Sequence, residues 1–170
     1  MKIKICLIAL ILGMSVLGFS QTKIGVVDTE YILGKMAEYQ SAQNTLEDLA
    51  IEWQQEIEEI FAEIEKLYKT YQAEAVLLPE DMKIKRQDEI IKKEKEAKEL
   101  QKKRFGTNGE LFQKRQELIK PIQDKVYNAI EEFANDGNYA LILDRSGSAQ
   151  VLFANPKLEC SDDILKKIGY

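Results

Sequence analysis

The amino-acid sequence predicts a mainly α fold with a small β body, in which a long antiparallel helical hairpin forms a coiled-coil arm. Apolar residues recur every three or four positions through residues 46–71, which is the spacing of a helix that packs against another helix. Pro79 interrupts this pattern, and a second helical stretch follows it. Short runs rich in β-branched residues flank the helical region on both sides, and they predict a small strand-rich end.

The segment before residue 21 differs from the rest of the chain. Lys2 and Lys4 precede an apolar run over residues 5–16, and small residues follow at Gly18 and Ser20. This arrangement is typical of a secretory signal peptide. A membrane anchor is the alternative, but the run of about 12 residues is shorter than the roughly 20 that a membrane span needs. We therefore expect a signal peptide over residues 1–20 that is cleaved, a periplasmic location, and a single domain over residues 21–170.

The outgoing half of the arm is predicted from about Thr29 to Leu78, after a short strand over residues 23–28. Its apolar stripe has an unbroken alternation of four- and three-residue steps, which defines the narrow seam of a coiled coil. The stripe consists of Leu46, Ala50, Trp53, Ile57, Ile60, Ile64, Leu67 and Tyr71. An ordinary amphipathic helix on a globular core is the alternative, and the length and regularity of the stripe argue against it.

The returning half of the arm is predicted over residues 80–135, so that the whole hairpin covers residues 29–135. Proline disfavours helical geometry in the residue before it, and the acidic residues after Pro79 suit a helix start. If the chain reverses there, residues whose numbers total about 158 face each other along the two helices, and we call this relation the facing rule. The facing pairs are then Leu67 with Ile91, Trp53 with Phe105, and Leu46 with Phe112. At about 1.5 Å per residue, roughly fifty helical residues give an arm about 75 Å long.

The C-terminal part of the chain changes character. Residues 139–143 predict a strand, residues 144–148 a turn, and residues 149–153 a second strand. Ser161 is the predicted N-cap of a short last helix over residues 162–168.

The strand-rich end, residues 23–28 and 139–170, contains too few residues to bury a stable core by itself. We therefore expect it to be an oligomerisation body, in which the strands of several subunits share one core. The candidate interface residues are the large apolar side chains of the strands, namely Ile24, Val26, Leu141, Leu143, Val151 and Phe153. The residues alone leave the number of subunits open.

Three segments of this chain, in their order and spacing, resemble those of the Skp/OmpH family of periplasmic chaperones. They are KIGVVDTEYIL at residues 23–33, the helical hairpin, and YALILDRSGSAQVLFAN followed by SDDILKKIGY. The resemblance implies a Skp-like homotrimer, in which three arms project from a common body around a central cavity. It further implies an ATP-independent holdase for unfolded outer-membrane β-barrel proteins, without enzymatic activity or a cofactor. The net charge of −5 departs from the strongly basic members of the family, so contact with a membrane surface stays open.

Charge is distributed unevenly between the two halves of the arm. Residues 45–75 carry nine acids and two bases, whereas residues 80–104 carry ten bases and seven acids. This difference predicts attraction between the helices, although each exposed pair contributes only about 0–1 kcal/mol. The alternative is a cationic tip patch for client proteins, formed by Lys83, Lys85, Arg86, Lys92 and Lys93. Phe61 and Tyr68 lie just off the seam, and they are candidates for an apolar client-binding surface.

The residue types present exclude several classes of chemistry. The sequence contains no histidine, which excludes Ser-His-Asp and Cys-His nucleophile systems and zinc sites with histidine ligands. After removal of residues 1–20, Cys160 is the only cysteine, and we expect a partly packed residue without a redox role. No nucleic-acid motif is present. The alternative function is a structural coiled-coil spacer or assembly scaffold of the cell envelope, which would not need the C-terminal strands.

A flexible point is predicted within the returning helix at residues 105–109. Gly106 and Gly109 each cost a helix interior roughly 1 kcal/mol relative to alanine. These glycines predict a hinge that lets the arm bend. The alternative is that they make room for the large indole of Trp53, which the facing rule places opposite Phe105.

Overall fold

The computed structural model describes residues 22–147 and 151–170, so the predicted signal peptide lies outside the described residues. The elements in chain order are β1 (Lys23–Val27), α1 (Thr29–Lys35), α2 (Ala37–Glu74), α3 (Glu80–Phe105), α4 (Glu110–Asp136), β2 (Tyr139–Asp144), a 3₁₀ turn (Pro156–Leu158) and α5 (Ser161–Ile168). The predicted fold class is confirmed. Helices α2, α3 and α4 form the antiparallel arm, and the two strands with α1 and α5 form the body.

The outgoing helix differs from its prediction at both ends. The continuous helix expected over residues 29–78 is interrupted at Met36, whose backbone is extended. Its side chain is fully buried in the body core, so the break turns an apolar residue inward where the arm leaves the body. At the tip the helix ends at Glu74, and Pro79 precedes the first turn of α3 with Glu80 and Asp81 in that turn.

The facing rule is correct in the outer half of the arm. Gln87 donates a hydrogen bond to the hydroxyl of Tyr71 at 2.7 Å, as the rule requires. The rings of Trp53 and Phe105 meet edge to face with their centroids 6.4 Å apart. The predicted contact of Leu67 with Ile91 is wrong in detail, because the buried seam residue is Ile90 and Ile91 faces solvent.

The facing rule is wrong in the inner half of the arm. It places Lys125 opposite Leu33, but the Lys125 ammonium lies 3.0 Å from the carboxylate of Glu38. The predicted contact of Leu46 with Phe112 is wrong. Leu46 packs in a cluster with Ile119, and Phe112 is exposed. The returning helix ends at Phe105 and restarts at Glu110, and the four residues between them extend the chain without helical geometry. This interruption, residues 106–109, is called the elbow below, and it shifts the register of everything after it.

The two glycines of the elbow are required by close approaches of the backbone. The Gly109 amide donates to the Gly106 carbonyl at 2.8 Å. A Cβ atom on Gly106 would collide with the carbonyl oxygen of Lys102, and one on Gly109 would approach the carbonyl oxygen of Arg104 to 2.8 Å. The glycines therefore make room for the chain itself and not for the indole of Trp53.

The two strands pair in parallel, and the whole arm is the connection between them. Ile24 lies opposite Leu141, and Val26 lies opposite Leu143. Helices α1, α4 and α5 cover one face of this pair. The core there consists of Val27, Ile32, Leu33, Met36, Val126, Ala129, Cys160, Ile164 and Leu165.

The C-terminal part contains one strand fewer than predicted among the described residues. Residues 151–153 form no strand, and residues 149 and 150 lie outside the described part. Instead, Glu159 forms an isolated parallel bridge with Val26 on the other side of β1.

Ser161 is not the N-cap of the last helix. The cap position is Cys160, and Ser161 is the first residue of α5. The Ser161 hydroxyl donates to a carboxylate oxygen of Glu159 at 2.5 Å and accepts the Asp28 amide at 2.8 Å. Its role is therefore to join the start of α5 to the end of β1. The helix ends at Gly169, whose φ of 103° is the left-handed conformation that glycine adopts at helix ends.

Candidate functional site

One side of the arm is held by ion pairs between its helices. The Lys93 ammonium lies 3.0 Å from the carboxylate of Glu63, and the Arg104 guanidinium lies 3.1 Å from that of Glu56. Glu56 and Glu63 are seven residues apart and therefore lie on the same side of α2. These four residues define the paired flank of the arm. The predicted attraction between the acidic and basic helices is realised here.

The opposite side of the arm exposes apolar side chains. Helical residues turn by about 100° each, so Phe61 and Tyr68 lie on the side of buried Ile64 that is opposite to Glu63. Ile84 and Ile91 of α3 lie on this same side, away from Lys93. Phe61 is 36 %, Tyr68 50 %, Ile84 50 % and Ile91 61 % exposed. We call these four residues the open flank.

The open flank is continuous across the two helices near the tip. The hydrogen bond between Gln87 and Tyr71 fixes the local register and puts Tyr68 level with Ile90. Tyr68 and Ile91 therefore adjoin on the surface of the arm. Toward the elbow, a shallow groove of about 370 Å³ continues from Ile91 between lysine and glutamate side chains. The flank thus offers apolar contacts within a charged border.

The basic residues near the tip do not share one face of α3. Lys83 pairs with Glu80, Arg86 with Glu89, Lys92 with Glu96 and Lys93 with Glu63. Lys85 has no carboxylate partner among the described residues. At about 100° per residue, the five cations point in several directions around the helix. With four acids in the same segment, residues 80–93 carry a net charge of only +1.

The elbow carries the most densely paired polar group of the arm. The Arg104 guanidinium donates to the carboxylates of Glu56 on α2 and Glu110 on α4, and its centre lies 4.6 Å from the ring centroid of Trp53. Burial would lower the pKa of Arg104, but the hydrogen bonds with Glu110 and Glu56 outweigh burial and raise it. The hydrogen bonds from Arg104 and Lys103 lower the pKa of Glu110.

The body exposes an apolar face of its two strands. Ile24 and Leu141 lie opposite each other on the face away from the core helices, and both are exposed. Val26 is covered within its own chain, and Leu143 and Val151 are half-buried. Phe153 is 83 % exposed. Of the six predicted interface residues, three therefore remain available for contact in this chain.

A second polar group joins the end of β2 to the start of α1. The Asp144 carboxylate accepts the hydroxyl of Thr29 at 2.6 Å and the amide of Ser146 at 3.0 Å. Burial alone would raise the pKa of Asp144, but the hydrogen bonds from Thr29 and Ser146 lower it. Cys160 is fully packed in the core, where its contact with Tyr139, together with burial, raises the pKa of that tyrosine to about 12.

Residues 23–168 match a family model described as outer membrane protein, OmpH-like. This chain belongs to the OmpH-like family. A crystal structure of a candidate outer membrane chaperone (OmpH-like) from Caulobacter crescentus CB15 has the same fold, with a TM-score of 0.69. The two chains are 13 % identical, and the match covers 89 % of this chain and 86 % of the other. A comparison with curated proteins gave no match.

The OmpH-like chain exposes apolar side chains on the open flank of the arm and on the strand face of the body. Sequence reasoning found Phe61 and Tyr68 because they lie off the heptad seam, but it missed the apolar side chains of α3. Ile84 and Ile91 are also seven residues apart, but the facing rule placed Ile91 in the seam opposite Leu67, and this assignment concealed the pattern. Among residues 22–147 and 151–170, no helix has the length and apolar character that a membrane crossing requires.

Proposed function

We propose that this OmpH-like protein is an ATP-independent periplasmic holdase, which binds unfolded outer-membrane β-barrel proteins and prevents their aggregation. The observation that carries the proposal is the one-sided exposure of apolar residues along the arm. A helical hairpin needs its seam to be apolar, but it does not need apolar residues on one outer flank. Contiguous exposed apolar surface is typical of sites that bind other proteins. The secretory character of residues 1–20 supports a periplasmic location.

The client surface in this proposal is the open flank. An unfolded β-barrel segment alternates apolar and polar side chains, so Phe61, Tyr68, Ile84 and Ile91 would contact its apolar half. The basic residues of the tip, Lys83, Lys85, Arg86, Lys92 and Lys93, would add a weaker attraction that salt screens beyond about 8–10 Å. Binding through many weak contacts needs no nucleotide and no cofactor.

We further propose that the exposed strand face forms the interface of a homotrimer. Ile24 and Leu141 form a small apolar face that stays 39 % and 49 % exposed within its own chain. Packing this face against the equivalent faces of two other subunits would supply the core that the small body lacks. The open flanks of three arms can then surround one client.

The test is suppression of aggregation by the purified protein. An unfolded outer-membrane β-barrel protein is diluted from urea, and light scattering is followed with and without the chaperone. We expect the wild-type protein to suppress scattering at a small molar excess. The variant Phe61→Ser with Tyr68→Ser and Ile91→Ser should lose most of this activity, because apolar contact area on the client surface is removed. Raising the salt concentration should weaken the wild-type activity only modestly.

The matched control is Ile51→Ser. Ile51 is as exposed on α2 as Tyr68, but it lies ten residues before Phe61, about 15 Å nearer the body and outside the open flank. This variant should protect the client as well as the wild-type protein does. If the triple variant also protects fully while remaining folded, the open flank is not the client surface. If the wild-type protein does not suppress aggregation at all, the structural spacer becomes the better interpretation.

A further inference from the structure

The elbow is bridged by a single side chain that contacts all three helices of the arm. Arg104 belongs to the last turn of α3, Glu110 to the first turn of α4, and Glu56 to the middle of α2. One guanidinium nitrogen of Arg104 donates to Glu110 and the other donates to Glu56. The interruption of the returning helix is therefore closed by ion pairs on one side.

Lys103 also bridges the interruption, because its ammonium lies 3.2 Å from the carboxylate of Glu110, and the other contacts at the elbow are local. The Gly106 amide donates to Lys102 at 2.8 Å, the Gly109 amide to Gly106 at 2.8 Å, and the Gln113 amide to Gly109 at 3.1 Å. All these bonds join residues of α3, the elbow and α4, so none of them fixes the elbow to α2. The link to α2 consists of Arg104 with Glu56, and of Trp53 beside Arg104 and Phe105.

The closed arrangement is not fully satisfied. The Nε atom of Arg104 is buried and has no hydrogen-bond partner among the described residues. A buried donor without a partner lowers the stability of the state that contains it, and water satisfies it when the site opens. The two carboxylates favour the closed elbow. Both ion pairs of Arg104 are partly exposed, so a change in charge or ionic strength shifts the equilibrium.

We infer that Arg104, Glu56 and Glu110 form an ionic latch that holds the elbow closed against the unbroken helix α2, and that its release lets the returning chain separate from α2 there, so that the outer arm bends by gentle curvature of α2. The outer arm beyond the elbow contains about 25 residues per helix and is about 37 Å long. A bend of about 10° at the elbow would therefore move the tip by roughly 6 Å. The latch is independent of the chaperone proposal, because it concerns the motion of the arm and not what the arm binds.

Hydrogen exchange of the intact protein, read by mass spectrometry, tests the latch. The informative peptides cover residues 102–113, which contain the amides of Gly106, Gly109 and Gln113. We expect Glu56→Gln and Glu110→Gln each to speed exchange in these peptides roughly three- to ten-fold, as loss of one charge-assisted bond implies. Arg104→Met keeps the apolar stem against Trp53 and removes the charge, so it should reproduce the larger of these two effects.

The matched control is Glu63→Gln, which removes the other ion pair of the paired flank, with Lys93. It should leave exchange in residues 102–113 unchanged. In the wild-type protein, added sodium chloride should speed exchange at the elbow toward the rate of the variants, and the Arg104 variant, which keeps only the pair of Lys103 with Glu110, should respond less.

Two results would overturn the latch. In the first, the Glu56 and Glu110 variants exchange at the elbow as slowly as the wild-type protein. In the second, exchange rises equally in peptides from every helix, or rises equally in the Glu63 control. Either pattern would mean that Arg104 supports the hairpin as a whole. Because Glu56→Gln and Glu110→Gln are isosteric changes at partly exposed sites, they keep the test decisive even if Arg104→Met unfolds.

Discussion

Replacement of Trp53 by alanine tests how far the contacts beside the elbow stabilise the arm. Trp53 is buried, packs edge to face on Phe105, and lies beneath the guanidinium of Arg104. Truncating a buried aromatic residue to alanine costs about 3–5 kcal/mol. The aromatic pair accounts for about 0.5–1.5 kcal/mol beyond burial. The cation–π contact, at a partly exposed site, accounts for about 0.5–1 kcal/mol. We expect the free energy of unfolding to fall by about 3–5 kcal/mol in total.

The assay is urea denaturation followed by circular dichroism at a fixed chain concentration, since any self-association makes stability depend on concentration. Ile51→Ala is the control, because Ile51 is exposed on the same helix and its truncation should change stability by only about 0.5 kcal/mol. The reasoning is refuted if Trp53→Ala lowers stability by less than about 1 kcal/mol, or no more than the control does. Trp53 is the only tryptophan in the chain, so its fluorescence reports on the elbow in every other variant.

Three further outcomes are expected. Replacing Gly106 and Gly109 together by alanine should lower the melting temperature, because each new Cβ meets a backbone carbonyl; a higher melting temperature would restore the simple hinge interpretation. The pKa of Glu110 is lowered in the folded protein, so its ionised carboxylate stabilises the fold above its ordinary pKa of 4.5. This stabilisation is lost as the pH falls through the lower folded pKa. In acid titrations, the free energies of unfolding of the wild-type protein and Glu110→Gln should therefore converge at that pH. Replacing Leu141 and Leu143 by aspartate should give monomers in sedimentation, and a surviving trimer would exclude this strand face as the interface.

The arm could be predicted from sequence because its seam is a local and periodic signal. The heptad stripe of α2 fixes which side chains are buried, and Pro79 fixes where the chain reverses. The contact between Trp53 and Phe105 follows from these two facts alone. The register beyond the elbow does not, because it depends on how far four non-helical residues extend. Two glycines show that the helix is interrupted, but they do not give the length of the displacement.

The body was predicted less completely, because its contacts are between residues distant in sequence. Ser161 has the chemistry of an N-cap, but the Asp28 amide and the Glu159 carboxylate occupy its hydroxyl instead. Met36 lies within a sequence that is compatible with a helix, but its backbone is extended and its side chain packs in the core of the body. In the candidate site, the facing rule assigned Ile91 to the seam. The register is as predicted, but the seam runs through Ile90, and the next residue along a helix is turned by about 100°, which places Ile91 at the surface.

The parallel pairing of β1 and β2 determines the order in which the molecule can fold. Val27 and Tyr139 end and begin the two strands, so their pairing closes a loop of about 110 residues, at an entropic cost of about 4 kcal/mol in a flexible chain. The hairpin removes most of this cost, because zipping its two halves together brings both strands to the same place. We therefore expect the hairpin to form first and the strands to pair after it. Shortening both halves of the arm equally, outside the elbow, should leave the body intact, whereas deleting one half should prevent the strands from meeting.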